Sequence, residues 1–189
     1  MTELQTYIKS YFGIQPNQQQ EVAELFKRET LYKGEYYTKV DHYCKKLSFV
    51  HSGYIRIYAD TPQKEVTQWI SGKGHFVTEL SSFIFNQRSR FNLQALTDCE
   101  LFTIHEEDYQ KLQVLVPDWQ QIEKRFISEC FITLENRVFQ FLSLSAEDRY
   151  DQLYNYDKEL FTEVPQQYLA SMLGMTPETF SRIRKKKIS

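Results

Sequence analysis

Apolar positions near the start of the chain follow the period of a helix. Leu4, Ile8 and Phe12 are each four residues apart, which places them on one face of a helix. A glycine and a proline then interrupt this pattern before a second apolar stripe begins at Val22. We therefore predict two helices between about residue 2 and residue 28.

From about residue 29 to residue 104 the period changes to two. Ile55, Ile57 and Ala59 alternate with polar or aromatic residues, and the segment RFNLQAL alternates in the same way. Turn-forming segments such as YKGE, DTPQK and SGKG separate these short runs. Alternating strands at this spacing favour an antiparallel barrel or sandwich.

The longest helical pattern runs from residue 117 to residue 145 and would span about 43 Å. It carries an apolar stripe at heptad spacing. A helix this long on a chain of 189 residues needs a long partner, and its twin in a homodimer is the economical choice. The alternative is that this stripe, like a second one at Ile122, Phe126 and Cys130, is ordinary core. The predicted dimer-interface residues are Ile127, Phe131, Leu134, Val138 and Phe141.

Cysteine spacing and hydropathy narrow the class of protein. Cys44, Cys99 and Cys130 are scattered and form no CxxC pair, so the usual zinc and iron–sulfur spacings are missing. An odd set of this kind indicates reduced thiols in the cytosol. The first residues lack the apolar run of a secretory signal, and no segment approaches the roughly 18 apolar residues of a membrane span. We expect a cytoplasmic protein that binds no metal and does not enter a membrane.

Charge is unevenly distributed along the chain. The formal net charge is −2, yet residues 171–189 contain five bases and one acid, Glu178, which gives that segment a charge of +4. The remaining residues must then carry −6. A basic segment at the end of an acidic chain indicates a local site for an anionic partner such as nucleic acid.

The same basic segment has the pattern of a helix, a sharp turn and a second helix. Residues 166–173 carry apolar side chains at helical spacing, and Gly174 then permits the positive φ that ends a helix. Thr176 is a good N-cap and Pro177 suits the first position of the next helix. Ala170 is small enough for two helices to cross closely. The other positions that a helix-turn-helix buries are Leu169, Leu173, Met175, Phe180 and Ile183.

The second helix of this motif would present a polar and basic face to solvent. Such a helix fits the major groove of about 12 Å, where its first residues reach base edges and trailing bases contact phosphates. Arg182 is the best candidate for a bidentate guanine contact, with a plain phosphate contact as the alternative. The alternative for Glu178 is that it only stabilises the helix dipole and does not contact DNA. The alternative for the motif is an αα-corner whose lysines only keep its end solvated. The predicted DNA-facing residues are Glu178, Thr179, Ser181, Arg182, Lys185 and Lys186.

Four segments together carry a resemblance to a known family. They are GHFVTELSSFIFNQRSRFNLQALTDCELFTI, VPDWQQIEKRF, LSAEDRYDQL and VPQQYLASMLGMTPETFSRIRKK, of which the last is the most specific. Through them, nearly the whole chain resembles a Crp/Fnr-family transcriptional regulator. The resemblance implies an α+β fold with an antiparallel β-roll of the cyclic-nucleotide-binding type and flanking helices in residues 1–116. A long dimerisation helix (117–145) and a small all-α helix-turn-helix domain (146–189) would follow.

The resemblance carries over to the recognition helix only in part. In that helix, the family reads bases with an Arg-Glu pair and a later Arg. Glu178 and Arg182 match, whereas Pro177 stands where the first Arg would be. The family's usual target sequence is therefore not implied. Thr176 and Thr179 are further candidates for phosphate or base contacts.

The effector cassette departs further from the family pattern. Members that bind cyclic AMP carry a Gly-Glu pair followed by Arg-Ser. Here Glu79 persists, but Thr78 replaces the glycine and Ser89 takes the arginine position, while Leu134 and Glu135 replace a Thr-Ser pair that contacts adenine. A shift of one residue on a strand points the side chain to the opposite face. It therefore does not follow that Arg88 or Arg90, the neighbours of Ser89, takes the place of the missing arginine in the pocket. We expect no response to cyclic AMP, and either a different small-molecule effector or none. The candidate effector pocket consists of Glu79, Leu80, Arg88, Ser89, Arg90 and Leu134.

The resemblance implies a homodimeric regulator that binds a palindromic site in double-stranded DNA, with RNA polymerase as a candidate protein partner. The alternative is a ligand-sensing or protein-interaction module with a vestigial helix-turn-helix. Pro177 favours the alternative, as do the two residues after Lys187, which are too few for the β-hairpin wing of the family. An enzyme is not expected, because the sequence has no nucleophile elbow, phosphate loop or HExxH motif.

Overall fold

The structure is a computed structural model, and it describes residues 3–188. Two four-stranded sheets occupy the middle of this range. The strands are β1 (Lys27–Leu31), β2 (Tyr36–Thr38), β3 (Lys46–Ser52), β4 (Ile55–Asp60), β5 (Glu65–Ser71), β6 (Phe76–Val77), β7 (Asn92–Ala95) and β8 (Cys99–His105). The helices up to the long one are α1 (Glu3–Phe12), α2 (Pro16–Glu24), α3 (Leu80–Phe85), α4 (Glu106–Leu115) and α5 (Trp119–Ser143). The remaining helices are α6 (Ala146–Tyr156), α7 (Leu160–Glu163), α8 (Gln166–Met172) and α9 (Pro177–Ile188).

The sheets pair their strands in the orders β1-β8-β3-β6 and β2-β7-β4-β5, and every pairing is antiparallel. The apolar positions that alternate in the sequence lie between the sheets, where Ile55 and Leu93 are fully buried and Ile57 packs beside them. The prediction of an antiparallel β-roll in an α+β fold is therefore confirmed.

The two amino-terminal helices pack against the start of the long helix. Ile8 and Phe12 are buried there, and the Phe12 ring centroid lies 5.4 Å from those of both Trp119 and Phe126. The predicted helical segment is too long at its end, because residues 27 and 28 pair with β8 as the first residues of β1. Its predicted first residue, Thr2, lies outside the described residues.

A short helix, α3, interrupts the region in which only strands were predicted. The Glu79 carboxylate accepts the backbone N–H of Ser82 at 2.7 Å and so caps the helix. Asn86 ends it in the left-handed conformation with φ of 51°. Because the cap is a buried carboxylate, period alone could not reveal this helix.

The long helix α5 has 25 residues, about 37 Å, and is shorter at both ends than predicted. Asp118 precedes it with φ of 61°, which breaks the helical path from Pro117. At the other end Ser145 already caps the next helix, exchanging hydrogen bonds with Asp148 in a capping box. The predicted bounds at 117 and 145 therefore belong to the flanking turns.

The carboxy-terminal helices form a separate cluster around Leu169, Ala170 and Phe180, all with no exposed surface. The short helix α7 belongs to it, because Leu160 and Phe161 both pack into this cluster. Within residues 3–188, none of the helices combines the length and apolar character that a membrane crossing requires. The predicted domain boundaries stay a prediction.

Candidate nucleic-acid interface and effector pocket

The turn between α8 and α9 has the hydrogen bonds of a Schellman motif. The N–H of Met175 donates to the Ala170 carbonyl at 3.0 Å, and the N–H of Gly174 donates to that of Ser171 at 3.1 Å. Gly174 has φ of 67°, and a Cβ there would lie only 2.8 Å from the Phe141 ring. Glycine is therefore required at this position both by the positive φ of the backbone and by the lack of room for a side chain.

The helix α9 begins at its predicted cap. Thr176 accepts the N–H of Thr179 on its hydroxyl at 3.2 Å, and Pro177 is the first helical residue. The predicted inward positions are packed as expected, with Phe180 and Ile183 buried and Met175 half-buried. Two helices joined by a tight turn are thus present at residues 166–188.

The opposite side of α9 forms an open surface groove with the start of α8. Arg182, Lys185 and Glu178 are exposed there, and Ser181 is half-exposed. Thr176 is also exposed, while Thr179 is half-buried beside it. The residues that line the groove are Gln166, Pro177, Glu178, Ser181, Arg182 and Lys185.

Two lining residues were missed in the sequence. Gln166 is the first residue of α8, and Pro177 was considered as a helix starter and as the residue in place of the family's first Arg, but not as part of a surface. The signal for Gln166 was the motif itself, since the start of its first helix faces the same side as the recognition helix. Hydrogen bonds from its own backbone N–H and from the Thr176 hydroxyl lower the pKa of Glu178, so this face carries an acid among its bases.

Lys186 points away from this groove and toward α6. Its Nζ lies 3.1 Å from both carboxylate oxygens of Glu147, and the Nζ of Lys187 lies 2.7 Å from Asp151. The hydrogen bond from Lys186 lowers the pKa of Glu147, so the pair is ionised near neutral pH. The basic end of α9 is therefore partly neutralised within the chain.

In the candidate effector pocket, Glu79 is buried and already satisfied. Besides the N–H of Ser82, its carboxylate accepts the Ser81 hydroxyl at 2.7 Å. Arg90 is the one predicted pocket residue with an ion pair to it, Nε to Oε1 at 3.6 Å, and the Arg90 side chain is exposed. Leu80 is half exposed on α3. Glu79 thus serves as a helix cap in this structure.

The neighbouring polar residues also make hydrogen bonds within the chain. Ser89 is buried, and its hydroxyl donates to the Phe91 carbonyl at 2.7 Å. Arg88 is exposed and donates to the Asp41 carbonyl at 2.8 Å. Neither arginine beside Ser89 therefore reaches the space between the sheets.

Buried side chains of the roll lie in that space. Tyr37 is buried, and its hydroxyl lies 2.9 Å from that of Ser48 and 3.0 Å from the Lys46 carbonyl. Burial raises the pKa of Tyr37 well above its ordinary value. Val50 and Leu101 pack in the same cluster with no more than 1% of their surface exposed.

The predicted dimer stripe on α5 faces solvent in the single chain. Its five side chains are between 37% and 59% exposed, and Phe139 and Leu142 next to them reach 69% and 81%. Of the second stripe, Ile122 and Phe126 pack into the core while Cys130 is exposed. The first stripe is therefore not core, and a continuous exposed apolar face of this kind marks an interaction surface. Leu134, also predicted for the effector pocket, is half exposed on this face.

Candidate metal ligands are dispersed in the described residues. No three His, Cys, Asp or Glu side chains within residues 3–188 come together in a way that could hold a metal ion. Cys44 and Cys99 are buried free thiols, and burial raises the pKa of Cys99 to about 11. Cys99 is therefore a protonated core residue.

Comparison with known proteins identifies the class of this fold. Residues 28–113 match the family model of the cyclic nucleotide-binding domain. The c-di-GMP-responsive global regulator CLP of Xanthomonas campestris is 21% identical, with a TM-score of 0.65 over 91% of each chain. A transcriptional regulator assigned to the Crp/Fnr family from Eubacterium rectale is 17% identical, with a TM-score of 0.68 over 97% of this chain and 88% of that one.

A third neighbour, DNR from Pseudomonas aeruginosa, is 23% identical, with a TM-score of 0.56 over 96% of this chain and 86% of its own. No curated protein matches the chain. The chain thus contains a region that matches the cyclic nucleotide-binding domain, and its fold is similar to the folds of these regulators, which agrees with the fold that the resemblance implied.

Proposed function

We propose that the protein is a homodimeric Crp/Fnr-type transcriptional regulator that binds a palindromic site in double-stranded DNA in the cytoplasm. The observation that carries this proposal is the exposed groove of α9 and α8, set on a complete helix-turn-helix turn. RNA polymerase is the protein partner that a regulator of this class would meet on its promoter.

The groove supports DNA recognition through the chemistry of its side chains. Arg182 can donate two hydrogen bonds to O6 and N7 of guanine, which is the commonest specific contact in the major groove. Lys185 lies one turn further along α9 and suits a phosphate. Gln166 at the start of α8 lines the same groove and would contact the DNA backbone, as the first helix of the motif does.

The exposed stripe of α5 supports the dimer. Two such helices packed along Ile127, Phe131, Leu134, Val138 and Phe141 would bury side chains that solvent covers in one chain. Two-fold symmetry would then place two copies of α9 in successive major grooves about 34 Å apart. That spacing is the physical reason for a palindromic site.

A response to cyclic AMP is not part of this proposal. Glu79 is used as a cap, Ser89 stands at the position of the phosphate-binding arginine, and Tyr37 with its neighbours is buried within the roll. The Xanthomonas campestris neighbour is described as responsive to c-di-GMP, so the fold has a precedent for another effector. Glu79, Leu80, Arg88, Ser89, Arg90 and Leu134 would be the residues nearest to such a ligand.

A second candidate function is a sensing or protein-interaction module with a vestigial helix-turn-helix. The ion pairs of Lys186 and Lys187 with α6 favour it, because they remove positive charge from the end of α9. The exposed basic residues in the groove oppose it.

Selection from random duplex DNA by the full chain separates the two functions. We expect enrichment of a palindrome with half-sites one helical turn apart, and loss of that enrichment in Arg182→Ala. Arg125→Ala on α5 is the matched control, since it removes an exposed arginine outside the groove. Failure of the wild-type chain to enrich any sequence at moderate salt would favour the module.

A further inference from the structure

We propose that Arg56 is a positioning residue that holds α8, and with it α9, on the outer face of the sheet β2-β7-β4-β5. Arg56 would not touch DNA. It would instead fix the geometry in which the recognition helix is presented, so its effect on DNA binding rests on the function proposed above. The docking itself is a property of the chain alone and can be tested without DNA.

Arg56 is a charged side chain in an unusual place. It lies on β4, where only 2% of its side chain is exposed. Its Nε donates to the Thr67 hydroxyl at 2.9 Å, and its Nη1 lies 2.7 Å from a carboxylate oxygen of Glu65. A guanidinium is stable in such surroundings only when partners satisfy it, and both of these partners come from β5.

Aromatic rings from two elements lie against the guanidinium. The ring of Tyr58 on β4 lies 4.0 Å from the guanidinium carbon, and the ring of Tyr168 lies 3.9 Å from it. Tyr168 belongs to α8, so the helix-turn-helix supplies half of this enclosure. Stacking of this kind strengthens when the cation is desolvated, as it is here.

A backbone hydrogen bond ties α8 to the same strand. β5 is the edge of its sheet, and its Thr67 N–H donates to the hydroxyl of Ser171 on α8 at 2.9 Å. The helix thus satisfies a donor at a strand edge that would otherwise face solvent. Arg56 and this hydrogen bond share Thr67, so loss of one loosens the other.

Two further arginines hold the other end of α8. Carbonyls in the last turn of a helix have no partner within it and carry its negative dipole end. Arg137 of α5 donates to the Met172 carbonyl at 2.8 Å, and Arg149 of α6 donates to the Leu173 carbonyl at 3.1 Å. Arg137 also stacks on Trp69 of β5, at 4.7 Å from the ring centroid. The sheet, α5 and α6 therefore all contact the short helix α8.

The docked arrangement leaves the recognition face exposed to solvent. Arg182 and Lys185 are exposed while α8 is held, and the tight turn at Gly174 links any shift of α8 to a shift of α9. The docked state is therefore the one that is ready to bind DNA. If only a fraction of molecules is docked, the apparent affinity falls by that fraction.

The test compares substitutions that remove or keep the stacking. Arg56→Met keeps volume without charge, and Tyr168→Leu removes the ring. We expect each to weaken binding of the full chain to its selected site by about tenfold. Tyr168→Phe keeps the ring and is the matched control, with affinity within about twofold of wild type. The salt dependence of binding should not change, because no phosphate contact is lost.

A second readout follows the docking without DNA. Amide hydrogen exchange at Thr67 should be about tenfold faster in Arg56→Met and Tyr168→Leu than in wild type or Tyr168→Phe. In the double variant the two effects should be strongly non-additive, since both remove one contact. If no DNA site is found for the wild-type chain, the proposed function is wrong. Hydrogen exchange at Thr67 still tests whether Arg56 holds α8.

Two results would overturn the proposal. Unchanged exchange at Thr67 in both disrupting variants would mean that Arg56 does not hold α8. Tighter DNA binding by Arg56→Met or Tyr168→Leu would mean that the docked state restrains the recognition helix instead of preparing it.

Discussion

The helix-turn-helix and the effector cassette use their polar side chains in opposite ways. In α9, Glu178, Arg182 and Lys185 line an open groove. In the cassette, Glu79 and Ser89 are buried and hydrogen-bonded to their own chain. An exposed donor or acceptor can bind a partner at little cost, whereas a buried and satisfied one must first break its own hydrogen bonds.

This difference separates recognition from architecture. The groove of α9 has the features of a binding surface, while the cassette holds α3 and the roll together. The same residue type shows the contrast, since Glu79 caps α3 from inside the fold and Glu178 stands in the first turn of α9 facing solvent.

The largest expected effect concerns the dimer that would carry two grooves. Leu134→Asp places a charge in the middle of the exposed α5 stripe and should convert the dimer to a monomer. Because two linked half-site contacts are replaced by one, DNA affinity should fall by about a hundredfold. Sedimentation and titration of a fluorescent duplex measure the two effects.

Val114→Asp is the control for that substitution. Val114 is an exposed apolar residue on α4, away from the stripe. It should leave both mass and affinity unchanged. A wild-type chain that is already monomeric at micromolar concentration would contradict the account.

Glu79→Ala should destabilise the fold without altering DNA sequence preference. It removes a helix cap and leaves the buried Ser82 N–H without its partner, at a cost of about 2 kcal/mol. Denaturant unfolding measures this loss as a lower midpoint. Glu178→Ala is the paired variant, for which we expect the reverse: a nearly unchanged midpoint and an altered base preference in selection. Equal unfolding midpoints for Glu79→Ala and Glu178→Ala would contradict the proposed difference between the two regions.

Freeing the basic end of α9 should raise DNA affinity modestly. In the double variant Glu147→Gln, Asp151→Asn, Lys186 and Lys187 lose their acidic partners and can turn toward phosphates. We expect affinity about threefold higher and a salt slope steeper by about one to two. Affinity measured from low to moderate salt gives both values, and a flatter slope would refute the prediction.

The pH dependence of those ion pairs has a definite sign. Hydrogen bonding lowers the pKa of Glu147 in the folded chain, so the pair is present above the ordinary carboxyl range and is lost as pH falls through the lowered pKa. Between pH 6 and pH 8 the increase in affinity should therefore stay constant.

The smallest expected effect is that of cyclic AMP. A ligand at a hundred times its Kd would stabilise the fold by about 2.7 kcal/mol, which a thermal unfolding scan detects readily. We expect no shift of Tm with cyclic AMP, because Glu79 and Ser89 already make hydrogen bonds within the chain. A saturable rise of Tm would show that the cassette opens for this nucleotide.

Local patterns in the sequence predicted much of this architecture. Period two gave the roll, heptad spacing gave the exposed stripe of α5, and Gly174 with Thr176 gave the turn of the helix-turn-helix. Each of these signals lies within a few neighbouring residues, where backbone conformation and side-chain direction are set locally.

Features that depend on distant partners could not be predicted. α3 exists because a buried Glu79 caps it, and Lys186 turns toward Glu147, which lies 39 residues earlier in the chain. Arg56 occupies an outward position of a strand and looks like a surface residue until Tyr168 covers it. In each case a tertiary contact decides how a polar residue is used.

The most direct test of the central claim is the base-resolved affinity of Arg182→Ala. Wild-type chain and variant are titrated with the selected duplex and with duplexes changed at one base pair of each half-site. The account predicts that wild type loses about 1–3 kcal/mol at one guanine position, and that the variant binds the original and changed duplexes equally. If the variant keeps the full discrimination of wild type at every position, the exposed face of α9 is not the reading surface.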